Sequence, residues 1–298
     1  VALGFVFFHI ALGSKRRKDE TVPCKNSLFE RNAENKQLQD GYRWYDENYK
    51  QKVTCKSRKG KTLHAMEFRN PSNSNIWVIC LHGWTNVKRE MSPYAMEYYR
   101  RGFNVLIPDL RGHGDSESKY VSMGWLDRLD VVDWINSLVE ENPRVKITLH
   151  GVSMGSATVM MMAGDENLPE NVRLIVADCG YTSAWDEFAY KLSEMKVPAK
   201  PLLPIVNSIN IKKAGYDFRD TSALDSVKKA KVPMLFVHGG ADKFVPTYMV
   251  YLLFDACSSE VKDMMIVDGA DHASSFIMGR GQYEAKLDET LEKIAVTA

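Results

Sequence analysis

The chain has 298 residues, enough at roughly 100 to 200 residues per domain for one large domain or two modest ones and for a sizeable core. Apolar residues make up 45% and charged residues 26%, ordinary for a soluble globular protein, which sets aside collagenous, disordered and polytopic membrane classes. Lys plus Arg at 39 against Asp plus Glu at 38 leave a formal charge of +1; binding to phosphate backbones calls for a clear basic excess, so no nucleic-acid partner is expected.

Val1 to Leu12 is an apolar run that stops at the basic cluster Lys15 to Lys18. A spanning helix needs about 20 apolar residues, so the run as it stands does not cross a bilayer. Two readings stay open: the tail of a membrane anchor, implying association through the N-terminus and a membrane-anchored or extracytoplasmic placement, or an N-terminal helix packed on a cytoplasmic domain. Asn26 to Tyr49 is polar with interspersed Tyr42, Trp44, Tyr45 and Tyr49, the pattern of a helical arm. The organisation expected is an N-terminal arm over 1–50 and a main domain over 51–298.

Val53 to Lys56 and Leu63 to Phe68 flank Lys59-Gly60, a hairpin signal. Short apolar runs then alternate with helical ones. Strands are expected at Ile76 to Leu81, Val105 to Pro108, Lys146 to His150, Val172 to Asp178, Met234 to His238 and Met264 to Val267. Helices are expected near Pro93 to Arg101, Trp125 to Glu140, Met154 to Ala163, Thr247 to Ala256 and Gln282 to Ile294. Buried strands separated by helices predict a doubly wound α/β fold with a mostly parallel sheet covered on both faces. One interval breaks the rhythm. Tyr181 to Lys231 runs about fifty residues between two strands, where connections of 2 to 6 residues are usual, and holds Pro198, Pro201 and Pro204. It reads as a helical cap inserted over the carboxyl end of the sheet, where open α/β sheets bind ligands.

Four of the seven histidines, His82, His113, His150 and His238, precede a glycine. The run from His150 to Gly155 is more specific, because it holds G-x-S-x-G directly after a strand and directly before a helix. Side chains at Gly151 and Gly155 would clash in so tight a turn, and the strain projects the Ser153 hydroxyl into the crevice. A serine needs a base oriented by a carboxylate, each on a loop after a later strand. His272 follows Met264 to Val267, and Asp242 follows Met234 to His238. Asp178 is the rival acid, but it precedes the insertion and leads into Cys179-Gly180, a buried turn. Asp268 and Asp271 are expected to shape the histidine loop. The oxyanion donors expected are the backbone N–H groups of Met154 and, from the loop after the first inner strand, Trp84.

The segments LHGW at 81–84, PDLRGHGDS at 108–116, HGVSMG at 150–155, HGGAD with FVP at 238–246 and GADH at 269–272 together resemble the α/β-hydrolase superfamily. The resemblance runs from about Val53 to the C-terminus. GWLDRLDVVDWI at 124–135 and DCGYTSAWDEF at 178–188 are similar to bacterial esterase, lysophospholipase and peptidase-like members, which often carry an N-terminal anchor. What the resemblance implies is a Ser153, Asp242, His272 triad with Trp84 and Met154 as the oxyanion hole.

The function expected is a serine hydrolase acting on small-molecule carboxylic esters through an acyl-enzyme. Alternatives are a peptidase or amidase on the same triad, or a non-catalytic scaffold binding a lipid or membrane partner. Asp109 to Ser116 is read as structural, its charges satisfying one another. Trp84, Tyr181, Trp185, Phe188 and Phe244 are expected to line the pocket. Phe188, Leu192, Met195, Leu202, Leu203, Ile205 and Val206 either roof it or bury themselves within the cap. No motif for a metal, nucleotide or dinucleotide is present, so no cofactor and no metal are expected. Cys24, Cys55, Cys80, Cys179 and Cys257 show no C-x-x-C spacing and read as free thiols.

Overall fold

A computed structural model describes residues 2–14, 32, 34–72 and 74–296 of the chain. Its centre is an eight-stranded sheet. The strands are β1 (Gln51–Lys56), β2 (Thr62–Phe68), β3 (Ile76–Leu81), β4 (Asn104–Pro108), β5 (Lys146–Val152), β6 (Val172–Asp178), β7 (Met234–Gly239) and β8 (Lys262–Val267), in the order β1-β2-β4-β3-β5-β6-β7-β8. The β1–β2 and β2–β4 pairs are antiparallel and the rest parallel. The expected doubly wound, mostly parallel sheet is therefore present. Every residue of β3 is buried, because both faces of the sheet are covered. Trp77, Ile79 and Leu81 enter one core while Ile76, Val78 and Cys80 enter the other, following the period-two alternation of a strand.

Helices α3 (Ser92–Arg100), α4 (Asp127–Glu141), α5 (Met154–Met162), α9 (Tyr248–Ala256), α10 (Ser275–Met278) and α11 (Arg280–Lys293) cover the sheet. α2 (Lys36–Glu47) starts where the Asn35 side chain accepts the Gln37 amide at 2.9 Å, satisfying a donor with no partner inside the helix. It packs tightly on α3, since a Cβ on Gly41 would come within 2.6 Å of Pro93, and Trp44 stacks on Phe68 at 4.6 Å. The aromatic positions of the arm thus serve packing.

The interval between β6 and β7 folds into α6 (Ala184–Glu194), α7 (Ala199–Ala214) and α8 (Ala223–Val227). The Ser183 hydroxyl caps α6 by accepting the Asp186 amide at 3.0 Å. Against α7 lies α1 (Ala2–Leu12), so close that a Cβ on Gly4 would meet Ile205 at 2.7 Å. Phe8 and Leu12 of α1 are fully buried, while Leu3, Phe5, Val6 and Ile10 remain exposed. Among the described residues no helix is long and apolar enough to cross a membrane. The basic cluster Lys15 to Lys18, Cys24 and most of the stretch before Asn35 lie outside the described residues.

The chain leaves β3 toward β4 on one side and returns to β5 on the other. This reversal opens a crevice between the loops after β3 and β5, the ligand position of open α/β sheets.

Candidate active site

Ser153 stands between β5 and α5 at φ 55° and ψ −115°, a conformation that costs energy in a non-glycine residue. The turn is held by its neighbours. A Cβ on Gly151 would lie 2.2 Å from the Gly155 carbonyl oxygen, and one on Gly155 would lie 2.1 Å from the Leu81 carbonyl oxygen. The Ser153 amide donates to the Asp178 carbonyl at 2.8 Å, tying the turn to the neighbouring strand.

Two later loops bring the other groups to it. His272, past β8, has Nε2 at 2.9 Å from Ser153 Oγ and Nδ1 at 2.7 Å from Asp242 Oδ2. Asp242, past β7, is fixed by the Phe244 and Val245 amides, which donate to Oδ1 at 2.8 and 2.9 Å. His238 Nε2 lies 3.2 Å from Oδ2 and donates to the Val245 carbonyl at 2.9 Å. Burial pushes the Asp242 pKa up, but hydrogen bonds from His238 and His272 and their charge outweigh it, so the carboxyl sits well below the ordinary range and stays ionised. An ionised acceptor at Nδ1 selects the imidazole tautomer whose Nε2 can accept the serine proton. Asp271 shapes the loop, accepting from the Ser274 hydroxyl.

The rival acid Asp178 is elsewhere engaged. The Tyr283 hydroxyl donates to its Oδ2 at 3.1 Å and also contacts His150 Nε2 at 3.1 Å, while His150 Nδ1 meets the Tyr98 hydroxyl at 3.0 Å. Burial pushes Asp178 up to about 7 and His150 down to about 3, so this hydrogen-bonded series beside the Ser153 turn favours neutral groups.

The loop after β3 runs beside the serine, for a Cβ on Gly83 would be 3.3 Å from Ser153 Cβ. The His82 ring donates through Nδ1 to the Gly83 carbonyl at 2.8 Å and accepts the Leu110 amide at Nε2 at 3.0 Å. With the Gly83 carbonyl held by His82 and by the Asn86 amide, the planar trans peptide turns the Trp84 N–H the opposite way. Met154 is the first residue of α5, so its amide has no acceptor inside the helix.

Asp109 to Ser116 is a paired structural network. Lys88 Nζ, almost fully buried, donates to Asp109 at 2.7 Å, and Arg111 forms a two-pronged pair with Asp130 at 2.8 and 2.5 Å. His113 accepts the Thr85 amide at 3.2 Å, and burial pushes it down to about 3.

Above the serine is a cavity of about 300 Å³. Of the residues expected to line it, Trp84, Tyr181, Phe188 and Phe244 do so, and the cap supplies Leu192, Met195, Leu202, Leu203 and Val206 as a roof. Trp185 does not line it. It stands in the first turn of α6, with the Arg219 guanidinium 5.0 Å from its ring. Ile205 turns instead toward Gly4 of α1. Phe7, Ile10 and Ala11 of α1 form a wall of the cavity, and the Trp84 indole donates to the Ala11 carbonyl at 2.9 Å. Glu187 and Lys191 also line it. None of these α1 and α6 residues follows from the motifs.

Among the described residues, Cys55, Cys80, Cys179 and Cys257 are free thiols. Cys179, Asp242 and His272 offer ligand atoms within 4.8 Å of one another. Burial and two nearby carboxylates push the Cys179 thiol well above its ordinary range, which opposes the thiolate that a metal would need.

The comparisons with known proteins agree with this frame. The model of the alpha/beta hydrolase fold matches residues 76–203. YqkD of Bacillus subtilis (strain 168) is 28% identical over 99% of this chain and 93% of its own length. The thermostable monoacylglycerol lipase of Bacillus sp. (strain H-257) is 31% identical over 30% of this chain and 36% of the lipase. Among solved structures, the Pyrococcus furiosus esterase Pf2001 is similar with a TM-score of 0.68 at 21% identity, over 84% of this chain and 95% of the esterase. With strand order, crevice and the match over residues 76–203 in agreement, the chain has the alpha/beta-hydrolase fold, the frame of a hydrolase.

Proposed function

We propose that the chain is a serine hydrolase that cleaves carboxylic esters through an acyl-enzyme. The observation that carries this reading is the unbroken hydrogen-bonded series from Ser153 Oγ through the His272 ring to Asp242, at 2.9 and 2.7 Å. Ser153 Oγ attacks the acyl carbonyl as His272 Nε2 takes its proton, and Asp242 holds the ring and balances the imidazolium charge. The Trp84 and Met154 amides donate to the tetrahedral oxyanion. As the ester C–O bond breaks, His272 returns the proton to the leaving alcohol. A water, deprotonated by His272, then releases the acid and restores the serine.

The choice of ester and acyl chain rests on the cavity, whose roof and walls are largely aliphatic and aromatic side chains. Burying an acyl chain there contributes about 0.8 kcal/mol per CH₂, and a lipase and an esterase are among the similar proteins. The same triad can cleave amides, so leaving groups need a direct comparison.

A panel of p-nitrophenyl esters of increasing chain length tests the reading, with matched p-nitroanilides alongside. Ester turnover that rises with chain length until the cavity is filled, and that vanishes in Ser153→Ala, is the expected result. Faster anilide than ester turnover would favour an amidase. No turnover of any member, in a protein that stays folded, would favour a binding scaffold.

A further inference from the structure

Glu187 is 4% exposed, lines the same cavity as Ser153, and neither of its carboxyl oxygens has a hydrogen-bond partner. Beside it on the cavity wall, Phe188 and Leu192 of α6 and Met195 just past its end are apolar. A carboxyl buried without a partner destabilises a fold, and an aliphatic side chain would complete this wall at no such cost. Lys191, one turn further on, does not meet the need. Its ammonium lies 3.8 Å from the centre of the Phe244 ring and 3.5 Å from the Lys243 carbonyl oxygen, and it forms no ion pair with Glu187.

Resting on the ester-hydrolase reading above, we propose that Glu187 is a specificity-determining residue whose carboxyl binds a hydroxyl group of the substrate inside an otherwise apolar pocket. The surroundings favour a neutral group. Burial pushes the Glu187 pKa up to about 8, so its carboxyl leans toward the uncharged form near neutral pH. An uncharged carboxyl carries one donor and a strong acceptor, and a hydroxyl both accepts and donates. A charged substrate group would enter among aromatic and aliphatic walls with its solvation lost.

The hydroxyl can sit on the acyl chain or on the leaving alcohol, and two matched pairs of esters separate these. One pair is p-nitrophenyl 6-hydroxyhexanoate against p-nitrophenyl hexanoate. The other is propane-1,2-diol monobutyrate against propyl butyrate. Wild-type protein is expected to favour the hydroxylated member of one pair by about tenfold or more in kcat/KM, since a site built around a polar contact discriminates against the analogue lacking it. Glu187→Leu is expected to bring that ratio close to one and to melt at the same temperature as wild type or higher, whereas Glu187→Gln retains part of the preference. A ratio near one for both pairs in wild type, or a preference that survives in Glu187→Leu, overturns the proposal. Failure of all four esters together with failure of a fluorophosphonate to modify Ser153 would overturn the ester reading and this inference with it, an outcome distinct from turnover without preference.

Discussion

The floor and the roof of the site treat buried carboxyl groups in opposite ways. In the floor, Asp109 and Asp242, on loops after strands, have both oxygens bonded, and so have Asp127 and Asp130 in the first turn of α4, which Arg111 and the Gly124 amide reach from the adjoining loops. In the roof, built from helices, Glu187 has neither oxygen bonded. Asp178 lies between these cases, with one oxygen on Tyr283 and a pKa pushed up by burial to about 7. Loops after strands present backbone amides that can saturate a carboxylate, as Phe244 and Val245 do for Asp242. A helix has spent its amides on its own ladder and offers a side chain nothing comparable. The floor is therefore rigid and charge-balanced, fit to hold a reacting geometry. The roof is apolar with one open polar group, fit to select what lies in it.

Changes in the floor should break this contrast most severely. Replacing Ser153 by Ala is expected to lower kcat by about 10⁴-fold or more with little change in melting temperature, and Asp242→Asn to lower it by about 10⁴-fold through the wrong imidazole tautomer; steady-state kinetics beside calorimetry checks both. Lys88→Met leaves the buried Asp109 carboxylate without its cation and is expected to cost about 3 to 5 kcal/mol in a denaturant titration.

The roof should respond in a different way. The Glu187 pKa, pushed up to about 8, lies above the unfolded value of about 4.3, so the folded protein holds a proton that the unfolded chain releases. Stability from this group is full at low pH and falls as pH rises toward and through 8. Glu187→Gln should therefore lose about 1 to 3 kcal/mol less stability than wild type between pH 5 and 8, read as a flatter dependence of melting temperature on pH. Asp130 and Asp178 titrate in the same window in both proteins and cancel in the difference. The smallest effect is expected from Phe7→Ala in α1, which opens the cavity wall and shifts ester preference toward longer acyl chains a few-fold in kcat/KM.

The same division governs how much can be read from the residues alone. Strands β3 and β6 were expected at their observed limits, because strands buried on both faces are continuous apolar runs bounded by turn residues. The positions of Ser153, Asp242 and His272 follow from strand-to-loop junctions, where local sequence and tertiary place coincide. The roof has no such link. Glu187 stands four residues before Lys191 on α6, the spacing of an ordinary exposed ion pair, and only packing shows it buried. Trp185 has the composition of a pocket residue and the helical phase of Phe188 and Leu192, yet its ring meets Arg219, a residue of the loop between α7 and α8 that no local pattern places there. The apolar run before Gly13 does not declare its partner; that α1 closes the cavity depends on where α7 lies.

Whether His272 and Asp242 make Ser153 a nucleophile is tested most directly by the rate at which a fluorophosphonate modifies the folded protein, with the adduct located by mass spectrometry. One adduct is expected, on Ser153, absent in Ser153→Ala and formed at least a hundredfold more slowly in His272→Ala. An adduct on another residue, or an unchanged rate in His272→Ala, would contradict it.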